Sequence, residues 1–268
     1  MSDAPSPADL RPKVALVTGG ASGIGLAVTR RFVRDGHVVV VGDVNHEALT
    51  SVEEELGDAV RTQRCDVTVE SEVESLSQLA LDQFGRLDIA FANAGIGSNA
   101  MVIDARLDDW INVVQVNLVG SFLTIKHAAR RMGRGSAIVV TTSLNAVQAG
   151  RGMSAYCAAK AGAKMLVEVA ALELGAAGIR VNAIAPGLVR TPLTDTIWRV
   201  PSIAEEFQEN TPLNRYASPE DIANFVAFLA SDEASFVSGS FHLIDGGANT
   251  MRYPDIPARI AEASRPTA

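Results

Sequence analysis

Short, nearly unbroken apolar runs alternate along the chain with longer segments whose apolar residues recur every three or four positions. The runs are VALVTGG (14–20), HVVVVGD (37–43), LDIAFANAG (87–95), GSAIVVTTS (135–143), IRVNAIAPG (179–187) and SFHLIDGG (240–247), and VRTQRCDV (60–67) reads as a further strand, third in chain order. A run without polar alternation predicts a strand buried on both faces, as in a parallel sheet. The periodic segments, 25–36, 46–56, 71–85, 107–132, 154–175 and 219–231, predict amphipathic helices. Strands alternating with helices predict an α/β chain: a three-layer Rossmann fold with a seven-stranded parallel sheet flanked by helices.

No repeat or linker interrupts the alternation, so residues 12–250 read as one catalytic domain behind a flexible tail at 1–11. Residues 188–218 lie between a strand and a helix without a strand of their own, and a stretch that long inside a compact domain reads as a substrate lid. Residues 251–268, with Pro254, Pro257 and Pro266, read as a C-terminal tail or an arm onto a partner subunit.

Composition narrows the partners. The 268 residues carry a net charge of −8, which offers nucleic acid no basic footprint. The two cysteines, Cys65 and Cys157, form no CxxC, and the four histidines are scattered without ligand spacing, so neither a disulfide framework nor a metal site is expected. The polar start MSDAPSPADLRP is not a signal peptide, and no apolar run is long enough to span a bilayer; a cytoplasmic protein is expected.

The segment VTGGASGIG (17–25) places glycines at 19, 23 and 25 between the first strand and the first helix. There, glycines let the backbone approach a pyrophosphate, and the helix N-terminus presents free N–H groups and a positive dipole end to it. Asp43 ends the second strand, 20 residues after Gly23, where a carboxylate can accept from both ribose hydroxyls and repel a 2′-phosphate. No Arg or Lys lies within 41–46, and Ser22 stands where a basic residue could have helped, so NAD is expected over NADP. The competing reading is that Asp43 merely caps the next helix.

SAYCAAKAG (154–162) sets Tyr156 and Lys160 four residues apart, on one helix face. A free phenol has a pKa of about 10, and bringing it near 7 takes roughly 4 kcal/mol of differential stabilisation. A nearby ammonium works in that direction, and a phenol so tuned can pass a proton to or from a substrate oxygen. Ser143 ends the fifth strand at its carboxyl end, where ligands bind in open parallel sheets, and its hydroxyl can hold that oxygen.

Taken together, residues 14–247 resemble a short-chain dehydrogenase/reductase of the simple single-domain type. Thr18, Gly19, Gly23, Ile24 and Gly25 match its TGxxxGIG turn, and Asp43 its NAD-selecting acid. Asp66 with Val67 matches the acid that meets the adenine amine, and Asn93, Ala94 and Gly95 the NAG motif; Ala92 departs from the family's frequent NNAG. Asn117 matches the helix asparagine, Ser143, Tyr156 and Lys160 the catalytic Ser and YxxxK, and Pro186 with Gly187 the turn beside the nicotinamide. Val189 and Thr191 follow on the cofactor side, Thr191 matching the family's threonine.

The resemblance implies that Tyr156 is the acid/base, that Lys160 lowers its pKa and binds ribose, that Ser143 orients the carbonyl and that Asn117 holds a water linking Lys160 to solvent. It also implies a homotetramer through the helices at 107–132 and 154–175; on the latter, Ala159, Ala163, Leu166, Ala170 and Leu174 form a stripe suited either to a partner or to the chain's own sheet.

The substrate signal is thinner. Asn145, Gly150 and Met153, with Leu144 and Gln148, are expected along the pocket between Ser143 and Tyr156. Lid residues Trp198, Leu193, Ile197 and Val200 are expected to add an apolar wall, and Asn99 and Met101 the opposite one. The expected activity is hydride transfer between nicotinamide and a secondary alcohol or ketone, with NAD favouring oxidation. The alternatives are a 3-oxoacyl thioester reductase of the same family and a non-catalytic dinucleotide-binding sensor, and the latter is opposed by the presence of both Tyr156 and Lys160. An enoyl reductase of the family often spaces that pair more widely.

Overall fold

The structure is a computed structural model in which residues 12–264 are described. The expected tail at 1–11 and the last four residues lie outside that range. Seven strands, β1 (Val14–Thr18), β2 (Val38–Asp43), β3 (Val60–Arg64), β4 (Ile89–Ala92), β5 (Ala137–Thr141), β6 (Arg180–Pro186) and β7 (Phe241–Ile244), form a single sheet in the order β3-β2-β1-β4-β5-β6-β7. All pairings are parallel; Leu16 on β1 sits between Val40 on β2 and Ala90 on β4. The order reverses on either side of β1, so a crevice opens at the carboxyl ends of β1 and β4, the usual ligand position in such sheets.

The apolar runs are unbroken because both faces are covered. Val17, Val39 and Phe91 point to one side and pack with Phe32 of α1 (Gly23–Arg34) and Val226 further along the chain. Leu16, Val40 and Ile138 point to the other side and meet a separate cluster. That second layer consists of α3 (Glu70–Phe84), the helical rod that begins at α4 (Leu107–Val114) and continues as α5 (Gly120–Ala129), and α6 (Ser154–Leu174), while α2 (His46–Leu56) links β2 to β3. The lid folds as a short turn, α7 (Asp195–Trp198) and α8 (Pro201–Glu209); α9 (Pro219–Ala230) carries Val226 and precedes β7.

Two segments differ from their reading in the sequence, and for a third, the α6 stripe, one of two open readings holds. The 107–132 helix is not uniform: residues Gln115–Val119 form a π turn between α4 and α5. A π turn takes up one residue more than an α turn, so the rod still looks like one helix in the periodicity. The small-residue stripe on α6 faces its own sheet: Ala159, Ala163 and Ala170 are buried, and Leu166 and Leu174 pack on the same core. The exposed face of α6 carries Met165, Val169 and Leu172 instead. The stretch after 250 does not trail away. It folds back over the lid, ending in α10 (Ile256–Ala263).

Leu16 is fully buried at the centre of the sheet. Leu16→Ala is expected to lower unfolding stability by roughly 2–5 kcal/mol with little change in the denaturant m-value, read from a urea titration.

Candidate active site

The chain leaves β1 at Thr18 and turns through Gly19 (φ +62°) and Gly23 (φ +51°), both in the left-handed region that favours glycine. Helix α1 starts at Gly23 with Ser22 as its extended N-cap, whose side chain makes no capping bond. Gly19, Ser22, Gly23 and Ile24 line a cavity of about 360 Å³ along the carboxyl edge of the sheet, and the first turn of α1 borders it. Gly25 does not line it: it is buried against the Gly19 carbonyl and the Asn93 amide, where a Cβ would collide. Its role is the close approach of helix to turn. Gly23 lies against Thr191, which joins the lid to the turn.

At one end of this cavity Asp43 accepts from the Ala21 N–H (3.2 Å) and the Asn45 N–H (3.1 Å). Asn45, not Asp43, caps α2, through the Ala48 N–H. Asp43 is therefore tied to the glycine turn while bordering the cavity. Beside it, Asp66 accepts from the Thr68 hydroxyl and N–H, bonds that hold its carboxyl below the usual range. Val67, also on the wall, packs against Gly120 of the helical rod.

Asn93 ties three strands together. Its Nδ2 donates to the Gly19 carbonyl (3.1 Å) and, at 3.4 Å, to that of Thr18. Its Oδ1 accepts from the Thr141 hydroxyl (3.1 Å), and its N–H donates to the Thr18 hydroxyl (3.1 Å). Ala92, in place of a second asparagine, is simply buried. Ala94 and Gly95 continue the wall, and Gly95 leaves room that a Cβ would take from Asn117 Oδ1.

Asn117 lies within the π turn and is fully buried. Its Nδ2 donates to the carbonyls of Val113 and Ile96 (both 2.9 Å), while its Oδ1 is buried without a partner. Such an acceptor is costly unless something donates to it. Lys160 Nζ borders Gly95 as well and donates to the Thr141 carbonyl (2.8 Å). Lys160 Nζ lies 5.6 Å from the centre of the Tyr156 ring, and Ser143 lines the same cavity as Tyr156. Pro186, Gly187, Val189 and Thr191 close the cavity from β6 and the lid.

The ionisations of this group differ from what the resemblance implies. Burial pushes the Tyr156 phenol up, with the Ser143 hydrogen bond acting the other way. Burial also pushes Lys160 down to about 7. Two desolvated groups each favour their neutral form, so Lys160 by itself does not draw the phenol down.

A second cavity, of about 350 Å³, shares Ser143, Tyr156, Pro186 and Gly187 with the first. Asn145 and Met153 line it, together with Asn99, Leu144, Leu193 and Ile197. Trp198 does not: its ring packs edge-on to Tyr216 beneath Arg190, and its Nε1 donates to Thr194. Lid helix α8 turns Phe207 to the cavity in its place. Gly150 stands behind the wall, where a Cβ would strike Met153 and Tyr253.

A family model described as enoyl-(acyl carrier protein) reductase matches residues 19–249. The 3-oxoacyl-[acyl-carrier-protein] reductase of Thermotoga maritima is 36% identical over 244 residues, covering 89% of this chain and 98% of its own. The 3-alpha-(or 20-beta)-hydroxysteroid dehydrogenase of Mycobacterium tuberculosis is 41% identical over 238 residues, 88% of either chain. A short-chain type dehydrogenase/reductase from Mycobacterium ulcerans superposes with a TM-score of 0.89 at 35% identity, over 93% of this chain and 94% of that one. The chain belongs to the short-chain dehydrogenase/reductase family. It is thus an oxidoreductase that works with a nicotinamide dinucleotide.

In this dehydrogenase/reductase the cavity over Ser143 and Tyr156 is completed by residues that the motifs do not reach. Phe207 comes from the lid, Tyr253 and Ile256 from the C-terminal segment, and Arg151 from the loop before α6. Pro254 and Pro257 lie in that segment, but no local pattern says where it lands. Among the described residues, no helix is long and apolar enough to cross a membrane.

The depressed Lys160 carries a stability signature. Unfolded, the amine titrates near 10.4; folded, it titrates at about 7. Between those values the unfolded chain holds a proton that the folded one lacks, so stability rises with pH, and below 7 the penalty is complete. Wild-type ligand-free protein is expected to gain on Lys160→Met by up to about 1.4 kcal/mol per pH unit from 7.5 to 9.5, measured by chemical denaturation. Parallel curves would show that the amine is not desolvated.

Proposed function

We propose that the protein is an NAD(H)-dependent dehydrogenase/reductase that transfers hydride between nicotinamide and a secondary alcohol or ketone, with Tyr156 as acid/base. The observation that carries this reading is the meeting of the two cavities at Ser143 and Tyr156, with buried Lys160 one helical turn behind. The long cavity runs from the glycine turn to that point and suits a dinucleotide, and the apolar cavity beyond it suits an alcohol-bearing carbon skeleton.

The bound nicotinamide supplies the two-electron acceptor or donor and, when oxidised, a positive ring. The chain supplies the proton chemistry. Tyr156 takes the proton of a substrate hydroxyl, or returns one to a carbonyl oxygen, from the boundary of the two cavities. Ser143 donates to the same oxygen. Lys160, anchored on the Thr141 carbonyl, is positioned to reach a ribose hydroxyl, and its pKa of about 7 lets it exchange protons near neutral pH. The unpartnered Asn117 Oδ1 supports the reading that a donor such as water sits between it and Lys160.

Asp43 favours NAD. Its oxygens already accept backbone N–H groups at the cavity end, so the carboxylate is fixed where a 2′-phosphate would meet it. Met165, Val169 and Leu172 on α6 and Leu107, Ile111 and Phe122 on the neighbouring rod are exposed apolar side chains in the single chain, which supports assembly through these helices into a homotetramer.

The relative from Thermotoga maritima keeps an oxoacyl thioester in view as a second substrate class. The mostly apolar outer cavity, with Arg151 already paired to Asp255 (3.0 Å), favours a compact apolar alcohol. Absorbance at 340 nm, followed with NAD and NADP against cyclic alcohols, hydroxysteroids and 3-hydroxyacyl thioesters, decides between them.

Turnover is expected with NAD well above NADP, and Asp43→Ala is expected to reduce that preference at least about tenfold, the weight of one well-placed charge contact. Tyr156→Phe is expected to lower kcat by about 10²–10⁴-fold while dinucleotide binding, followed by fluorescence, changes little. Retained turnover in Tyr156→Phe would overturn the acid/base assignment.

A further inference from the structure

The segment after β7 reaches back to the substrate cavity and is tied down at several points. Asp255 caps α10 through the Ala258 N–H and pairs with Arg151. Arg252 and Arg259 both pair with Glu206, at 2.9 and 2.6 Å; Glu206 sits on lid helix α8 and is only 2% exposed. A buried carboxylate needs such partners, and here they couple lid to segment. The ring of Tyr253 stacks edge-on to Phe207 of the same lid helix, with centroids 5.5 Å apart.

These ties deliver one hydroxyl to one acceptor. Tyr253 Oη donates to Asn145 Oδ1 at 3.1 Å. Its other neighbour, Met153 Sδ at 3.4 Å, is the weaker acceptor. The orientation of the Asn145 amide is set independently, because its Nδ2 faces the Gln148 carbonyl at 3.0 Å and must donate there. Oδ1 therefore faces Tyr253. It also faces Ser143, whose hydroxyl stands 3.4 Å away, and the Asn145 N–H donates back to Ser143 Oγ at 3.1 Å.

Ser143 has a single proton and two directions for it. One leads to Asn145 Oδ1, the other to the Tyr156 oxygen and the site where a substrate oxygen would lie. A serine whose proton is held by Asn145 cannot donate to the substrate. At 3.4 Å the bond to Asn145 is long for a hydroxyl pair, whereas Tyr253 holds the shorter one.

We infer that Tyr253 is a positioning residue: as the shorter of the two donors to Asn145 Oδ1 it weakens that oxygen as an acceptor for Ser143, so the Ser143 hydroxyl proton turns more readily to the substrate oxygen, and the C-terminal segment completes the catalytic group. The inference rests on the catalytic roles proposed for Ser143 and Tyr156. Tyr253 itself touches no reacting atom. Neither Asn145 nor Tyr253 carries the chemistry, yet loss of the phenol hydroxyl leaves Asn145 Oδ1 to Ser143 alone and strengthens that competing bond.

The test begins without substrate. The chain holds only three tyrosines, Tyr156, Tyr216 and Tyr253, so tyrosine labelled with ¹³C at Cζ gives three signals that single Tyr→Phe variants assign. The Tyr156 signal, recorded without ligand and with NAD, reports whether its oxygen accepts a hydrogen bond. Tyr253→Phe keeps the ring against Phe207 and removes only the hydroxyl. The Tyr156 signal is expected to move in this variant and to return toward the wild-type position in Tyr253→Phe/Asn145→Ala, where the competing acceptor is gone.

With the alcohol that the panel identifies, Tyr253→Phe is expected to lower kcat about five- to tenfold, the net worth of one hydrogen bond, with KM changed less than about twofold. In the Asn145→Ala background the same substitution is expected to cost less than about twofold. An unmoved Tyr156 signal overturns the inference, as does an equal loss of kcat in both backgrounds or a loss confined to KM and melting temperature. Retained turnover in Tyr156→Phe would instead defeat the catalytic reading, while the signal test of Tyr253 would still stand.

Discussion

The architecture depends on the Asn93 side chain, which holds three strand ends to one geometry. Its amide reaches the carbonyls at the end of β1 and its carbonyl takes the hydroxyl at the end of β5, while its own backbone extends β4. The parallel sheet ends its ladder here, so these groups would otherwise face the crevice unpaired, at a cost of a few kcal/mol. Pairing them through one side chain fixes the glycine turn relative to Thr141, and Thr141 in turn offers its carbonyl to Lys160. The glycine-turn end and the Tyr156 end of the site therefore share a single brace.

Around that brace the chain accepts unfavourable burial. Lys160 is almost completely buried with one carbonyl acceptor, and Asn117 keeps an unpaired carbonyl oxygen in the π turn. Both would be stabilised by groups that donate and accept in the long cavity. The phenol follows the same logic: burial alone raises it, and only added positive charge or donated hydrogen bonds bring it into the range where it can exchange a proton at neutral pH.

The lid and the C-terminal segment form a second unit on the far side of Tyr156. Glu206 receives two arginines from the segment, and Phe207, its neighbour in sequence, receives the Tyr253 ring. Closing the substrate cavity thus couples α8 to residues about fifty positions away in the chain. That coupling gives the outer cavity its shape.

What the sequence determined by itself was local or periodic. Apolar runs specified a buried parallel sheet because both-sided burial leaves no polar alternation, and the glycine turn, Asp43, Ser143, Tyr156 and Lys160 were legible from their spacing and their place at strand ends or on one helix. The tertiary structure decided everything that depends on which distant surfaces meet. Trp198 looked like a pocket wall by composition and instead packs on Tyr216; the alanine stripe of α6 faces its own sheet; Tyr253, in a stretch that reads as a tail, stands behind Asn145. Apolar and aromatic residues bury wherever shape permits, and burial is non-directional. Their partners are therefore set by the packing of the whole chain, while the motif residues are recognised by their spacing even though the bonds that hold Asn93, Asp43 and Lys160 span many residues.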